Sequence, residues 1–326
     1  MPRASLPAEQ AALLAQAAAA SCGLGTVHDW APISTGYEDP TLAITTSTGR
    51  YVIKTFAARP DGPDLARRAA DIIHAATATG ARHPRLLPAA DRHDGKHVHT
   101  GPGGVRYLVM NHIDGHDLYT LGRPVTWEET AQLIEQLTRL HSLPLAPAPV
   151  RDPWAIEQLV PTAAAVHQHL AAPDRHLVGV AINAMADVDT GALPHALIHG
   201  DITKGNVLID TTGEVILIDY GAAGRHPRIQ ELAVAAANLT AGIPAALPER
   251  LAVLARQYSD QLRKNGQQPL TAAEYDALPA YGMAAAAMEF LGAAREYHLH
   301  QDRSDETLML LDIGRAGMRE CLATHP

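Results

Sequence analysis

The chain has 326 residues, 47% hydrophobic and 19% charged, with a formal net charge of −9. That is enough apolar chain to bury a large core in one big or two medium domains, while the negative balance argues against nucleic acid as a partner, since phosphate backbones attract basic surfaces. No apolar run approaches the roughly 18 residues that cross a bilayer, so no membrane association is expected, and Cys22 and Cys321, at opposite ends, indicate neither a disulfide framework nor a zinc site.

Residues 5 to 22 read as a short amphipathic helix ended by Gly23 and Gly25 rather than as a signal segment. Ile33 to Ile44 reads as strand, polar loop, strand, with Ser34, Thr35 and Gly36 opening the loop. A Ser47-Thr48-Gly49 turn then leads into Arg50 to Phe56, a β-branched and aromatic strand with Lys54 in its middle. A lysine so placed needs a reason, because burying an unpaired ammonium is expensive; snorkelling from an edge strand is the plain alternative. The helix predicted from Pro63 to Thr79 contains no glutamate, only Asp64 and Asp71. Asp64, near its start, suits the helix dipole, and Asp71 lies in its core. Tyr107 to Met110 forms an apolar strand that runs on into Asn111-His112-Ile113.

Thr126 to Ser142 spaces Leu133, Leu137 and Leu140 on one helical stripe, with His141 read as a packed residue. A Pro-rich connector follows from Pro144 to Pro149. Residues 154–188, 227–240, 247–264 and 271–322 read as further helices, with a break near His298 to Asp305. The last 56 residues, from Thr271, hold nine Asp and Glu against four Arg. That balance suits a solvated acidic face, or a pocket for a cationic ligand.

The densest chemistry lies in His199-Gly200-Asp201-Ile202-Thr203-Lys204-Gly205-Asn206, followed by Asp219-Tyr220-Gly221. Asn206 to Asp210 and Val215 to Asp219 read as buried strands joined by the turn Thr211 to Glu214. A four-residue loop sets Asp210 against Val215 and Asn206 against Asp219, about 5 Å apart. A hard cation such as Mg²⁺ takes oxygen ligands from one or two side chains plus substrate phosphates. This register offers it one amide and one carboxylate.

His-Gly-Asp followed by Asn206, with Asp219-Tyr220-Gly221 and then Glu231-Leu232-Ala233, resembles the aminoglycoside phosphotransferase and choline kinase-like superfamily. The resemblance implies an α+β, bilobal protein-kinase-like fold. Its small N-terminal β-sheet lobe (residues 1–115) would bind nucleotide, and its larger, mainly helical C-terminal lobe (116–326) would hold the catalytic and acceptor-binding groups. It implies transfer of the γ-phosphoryl group of ATP or GTP, with Mg²⁺, to a hydroxyl of a small molecule in the cytoplasm. An aminoglycoside or other cationic antibiotic is one acceptor class, in which case the role is antibiotic resistance; homoserine, choline and sugars are others.

Residue by residue, the resemblance makes Asp201 the acceptor of the hydroxyl proton and Asn206 and Asp219 the metal ligands. Lys54 would bridge the α- and β-phosphates, with Asp71, or less readily Asp64, in place of the usual helix glutamate. Ser34, Thr35 and Gly36 would cap the triphosphate, Met110, Asn111 and Ile113 would meet the adenine edge, and Lys204 would touch the transferred phosphate. Glu231 stands where the family commonly braces the catalytic loop with an aspartate. A protein kinase is disfavoured by the lack of an A-P-E signature and by the short span from Gly221 to Glu231. A nucleotide-binding pseudokinase has only the missing helix glutamate in its favour.

Overall fold

The computed structural model describes residues 6–33, 40–57, 62–90 and 97–324. The chain divides into two compact units, residues 1–78 with 82–115, and residues 79–81 with 116–326. It is a mixed α+β fold, with its large sheet in the first unit and most of its helices in the second.

The first unit is built on an antiparallel five-stranded sheet. Its strands are β1 (Val27–Ile33), β2 (Thr41–Thr46), β3 (Gly49–Phe56), β4 (Val98–Thr100) and β5 (Arg106–Asn111), in the order β1-β2-β3-β5-β4. Two helices accompany it, α1 (Ala8–Cys22) and α2 (Leu65–Ala78). Strand β2 alternates, burying Leu42 and Ile44, and α1 lays Ala11, Leu14, Ala15, Ala18 and Ala19 into the same core as Ile53, Tyr107 and Val109. The alanines leave α1 no bulk to hold it away from the sheet. Gly23 ends it in the left-handed conformation, φ 66°, which a Cβ would oppose.

In the second unit β6 (Gly115–Asp117), β8 (Val207–Asp210) and β9 (Val215–Leu217) form a small sheet in the order β6-β8-β9, and β7 (His195–Ile198) pairs with β10 (Gly224–Pro227). The helices are α3 (Trp127–His141), α4 (Leu159–Val166), α5 (Ala172–Ala186), α6 (Ile229–Asn238), α7 (Leu247–Lys264), α8 (Ala272–Leu299) and α9 (Asp305–Thr324). Capping boxes, Thr126 with Glu129 and Thr271 with Glu274, start α3 and α8. Helix α8 is buried on most of its surface, and its alanines let α9 approach so closely that a Cβ on Gly314 would sit 2.5 Å from the Phe290 nitrogen. No helix among the described residues is long and apolar enough to cross a membrane.

The β8–β9 hairpin corrects one expectation. Ile209 faces Val215 and Val207 faces Leu217, and the Ile218 N–H donates to the Asn206 carbonyl at 3.1 Å. The register is therefore one residue tighter than the sequence suggested. The cause is the Asp210 side chain, whose Oδ1 accepts from the N–H groups of Thr212 and Glu214 and from the Thr212 hydroxyl. With Gly213 at φ 83°, this closes a three-residue loop, and Asp219 falls beyond the last paired residue.

Candidate active site

The loop between β7 and β8 is fixed before its functional side chains are considered. Glu231, on α6 and 1% exposed, accepts from the His199 N–H at 2.5 Å through one oxygen and from the Gly200 N–H at 3.1 Å through the other. His141 Nε2 lies 3.5 Å from the same carboxylate, and His141 Nδ1 meets the Tyr258 hydroxyl at 2.6 Å. So His141 is packed, and it stands behind the brace. The fully buried His199 reaches Ile218 O through Nε2 at 2.9 Å and the Asp201 N–H through Nδ1 at 3.4 Å. Those partners suit the neutral imidazole with its proton on Nε2. One side chain thus ties the backbone of Asp201 itself to the residue before Asp219.

Gly200 makes the turn at φ 86°, and a Cβ there would lie 2.7 Å from Ala222 O. Asn206 Nδ2 donates to Asp201 Oδ2 at 2.6 Å and to the Asp201 carbonyl at 3.0 Å. Its amide oxygen faces away from Asp201 with no protein partner among the described residues. Asp219 takes φ 67°, unusual outside glycine, and its Oδ1 accepts from the Gly221 N–H at 3.1 Å. In an unbroken ladder, a one-residue slip would turn Asn206 and Asp219 to opposite faces. The left-handed residue breaks the ladder at that point and re-aims the carboxylate.

Burial first, then the carboxylates of Asp152, Asp219 and Glu289, push Asp201 well above the usual carboxylate range; the Asn206 bond opposes them. Anions converging on one another await a cation. Among the described residues no group of three His, Cys, Asp or Glu is arranged to hold a metal. A magnesium ion needs only one or two protein oxygens when phosphates supply others, and the Asn206 amide oxygen and the Asp219 carboxylate are donors of the right hardness.

Lys204 is not where the sequence led us to expect it. It is 8% exposed, with Nζ turned inward to donate to Ala241 O at 3.4 Å. Burial lowers its pKa while Glu289 raises it and Arg250 lowers it further. A lysine held this way does not reach out to a transferred phosphate.

A cavity of about 110 Å³ opens beside Gly200, lined among others by Asp152, Glu157, Ala222, His226 and Gln230. None of these was singled out from the sequence for a role in the site, because they come from distant segments with no local motif. Asp152 Oδ1 accepts from the Trp154 N–H at 2.9 Å; burial, more than the neighbouring Glu157 and Asp219, raises its carboxyl. His226 Nδ1 and Glu157 Oε1 are 2.5 Å apart. That bond raises the His226 pKa; burial would raise Glu157, but the bond and charge of His226, with hydrogen bonds from its own backbone and from Gln230, together hold it below the usual value.

In the first unit, Lys54 is centred in β3 opposite Thr41 and Leu108, with Nζ 5.8 Å from the Phe56 ring centre. The expected pairing with Asp71 is not found. Asp71 is exposed and meets Arg67 at 3.4 Å, one helical turn away, and Asp64 meets Arg106 at 2.7 Å. The buried face of α2 is carried by Ala66, Arg68, Ala69, Ala70, Ile72, Ile73 and Ala76, which turns Asp71 to solvent. Met110 is buried in β5. The Asn111 N–H donates to Arg85 O and the His112 N–H to Arg50 O, whereas the backbone of Ile113 has no hydrogen-bond partner among the described residues. Ser34, Thr35 and Gly36 lie outside the described residues.

The sequence profile described as "APH: Phosphotransferase enzyme family" matches residues 29–264. The chain belongs to the phosphotransferase enzyme family. Solved structures share the fold of this phosphotransferase at low identity. A spectinomycin phosphotransferase in an AMP-bound complex is 15% identical, covering 97% of this chain and 99% of its own, with a TM-score of 0.66. An amicoumacin kinase in complex with AMP-PNP, Ca²⁺ and Ami is 17% identical, covering 95% of this chain and 92% of its own, TM-score 0.63. A choline/ethanolamine kinase family protein from Mesorhizobium loti is 16% identical, covering 95% and 94%, TM-score 0.61.

Proposed function

We propose that this phosphotransferase moves the γ-phosphoryl group of ATP or GTP to a hydroxyl of a small, amine-bearing acceptor, with residues 1–115 binding nucleotide and 116–326 carrying the catalytic and acceptor groups. The observation that carries the reading is the Asp201–Asn206–Asp219 cluster. In it Asp201 is bound by Asn206 and lies within electrostatic reach of Asp219, beside a braced loop and an open cavity. Phosphoryl transfer asks the protein for alignment and charge neutralisation more than for covalent chemistry. In this reading, Asp201 orients the acceptor hydroxyl and takes its proton. Asn206 and Asp219 hold Mg²⁺, which when bound offsets the charge of the β- and γ-phosphates. Lys54 steadies the triphosphate, Ser34 to Gly36 cover it, and the free backbone of Ile113 meets the purine edge.

Two observations support an amine on the acceptor. The cavity at Gly200 presents the carboxyl groups of Asp152 and Glu157 beside Arg151 and His226, and a carboxylate in that wall can pair with an ammonium. The structural neighbours named for spectinomycin and for choline or ethanolamine act on amine-bearing molecules by their names. Whether the role is antibiotic resistance or cytoplasmic metabolism follows from which acceptor is taken.

The deciding experiment is a panel of aminoglycosides, other cationic antibiotics, amino alcohols, homoserine and neutral sugars, assayed for Mg²⁺-dependent phosphorylation with ATP and with GTP. An amine-bearing acceptor should give the highest kcat/KM; a preference for neutral sugars would overturn the acceptor class. Asp201→Ala should bind nucleotide but lose turnover, and full turnover in that variant would overturn the site.

A further inference from the structure

Glu289, on α8, is buried to 8% exposure, and both its carboxylate oxygens accept from Nδ2 of Asn238, at 2.9 and 3.1 Å. Both oxygens meet the same NH₂, so Glu289 holds the Asn238 amide with that group toward α8. The amide oxygen must then face the catalytic loop, where it accepts from the Lys204 N–H at 2.7 Å. From the other side, the Lys204 carbonyl accepts from the Leu118 N–H at 3.0 Å. The loop is thus clamped at Lys204, three residues beyond Asp201 and two before Asn206.

The charges are arranged around the same clamp. The Lys204 ammonium is buried, with no carboxylate at bonding distance among the described residues; Glu289 is the anion within electrostatic reach and Arg250 the opposing cation. Burial pushes the Glu289 carboxyl up to about 7, against the Asn238 bond and the attraction of Lys204. A buried charged pair is a poor device for stability, since well-packed apolar residues of similar volume often do as well or better. What an apolar residue cannot do is fix which way the Asn238 amide points.

We propose that Glu289 is a positioning residue for phosphoryl transfer: by orienting Asn238 it sets the height of the catalytic loop at Lys204, and through the loop the placement of Asp201. The proposal rests on Asp201 acting at the acceptor hydroxyl, as argued above. It predicts that losing the orienting carboxylate slows turnover even when packing and charge balance are restored.

The test compares the full-length wild type with Glu289→Gln, Asp201→Ala and the double variant Lys204→Met/Glu289→Leu. It reads melting temperature, affinity for a non-hydrolysable ATP analogue, and kcat and KM for Mg²⁺-dependent nucleotide turnover without added acceptor. Glutamine keeps the shape but sets a donor against the Asn238 NH₂, so Glu289→Gln should lose at least tenfold in kcat with KM and analogue affinity within twofold. The double variant removes both buried charges and should melt at or above the wild type while kcat stays at least tenfold down. Wild-type kcat in Glu289→Gln, a loss confined to KM, or recovery of kcat with stability in the double variant would each overturn the proposal. Full turnover in Asp201→Ala would instead remove the site on which it rests, separating that failure from the others.

Discussion

At Asp201 two demands meet that pull its carboxyl in opposite directions. Burial and the neighbouring carboxylates favour the protonated form, while the Asn206 amide favours the charged one. Replacement by Asn keeps the shape and removes the base, so Asp201→Asn should drop kcat by two or more orders of magnitude, the span typical of general base loss, with the nucleotide-analogue Kd little changed by calorimetry. Glu289 carries a residue-scale prediction of its own. Its folded pKa of about 7 lies above the 4.5 of a free glutamate, so the folded state binds the extra proton. The stabilisation is fully present below about pH 4.5 and is lost as pH rises through 7. Across pH 5 to 8, wild-type stability relative to Glu289→Gln should therefore fall, as chemical denaturation would read. A flat difference would place the carboxyl in an ordinary solvent-like setting.

Among the elements, the glycines mark where backbones are brought closer than side chains allow. Gly200 lets the catalytic loop pass Ala222 in the left-handed conformation, and Gly200→Ala sets a Cβ 2.7 Å from a carbonyl oxygen. We expect loss of most turnover and a lower melting temperature, both from one shifted loop. Gly314 does the same for α9 against α8. Gly314→Ala should destabilise by about 1–3 kcal/mol, the usual range for overpacking, with KM for nucleotide unchanged. The helices and strands themselves were largely legible, because capping boxes, alanine spacing and β-branched runs are local signals. The β8–β9 register was not. It turns on Asp210 folding its side chain back over three backbone and hydroxyl donors, a choice that alternation of apolar residues does not encode.

For the whole molecule, the α+β class and the kinase-like chemistry could be read from one 23-residue stretch, His199 to Gly221. That stretch is contiguous, and so its residues announce one another. The groups that surround it do not. Asp152 with Glu157, Asn238, and Glu289 arrive from three separate segments, and only the fold brings them to the loop. The same cause explains the two misplaced charges. Lys204 turns inward because Ala241 and Glu289 lie behind it, and Asp71 turns outward because the packed face of α2 is set by its alanines and isoleucines. Removal of divalent cations tests the electrostatics as a whole. With EDTA, turnover should vanish and return on adding Mg²⁺, and nucleotide affinity should fall with it. Turnover that persists in EDTA would contradict the use of Asn206 and Asp219 as metal ligands.

Asp219 sits at φ 67°, a region that Asp, Asn and glycine enter far more readily than other residues. Its identity is therefore chosen twice, once for an oxygen and once for a bend, and the two choices can be pulled apart by substitution. Asparagine keeps the bend and an oxygen but loses the charge. Glycine keeps the bend alone. Glutamate keeps the charge on a longer arm and resists the bend, so Asp219→Glu should refold with a displaced Tyr220-Gly221 segment and fare no better in turnover than Asp219→Asn. At this position chemical conservatism and conformational conservatism rank the same substitutions in opposite order.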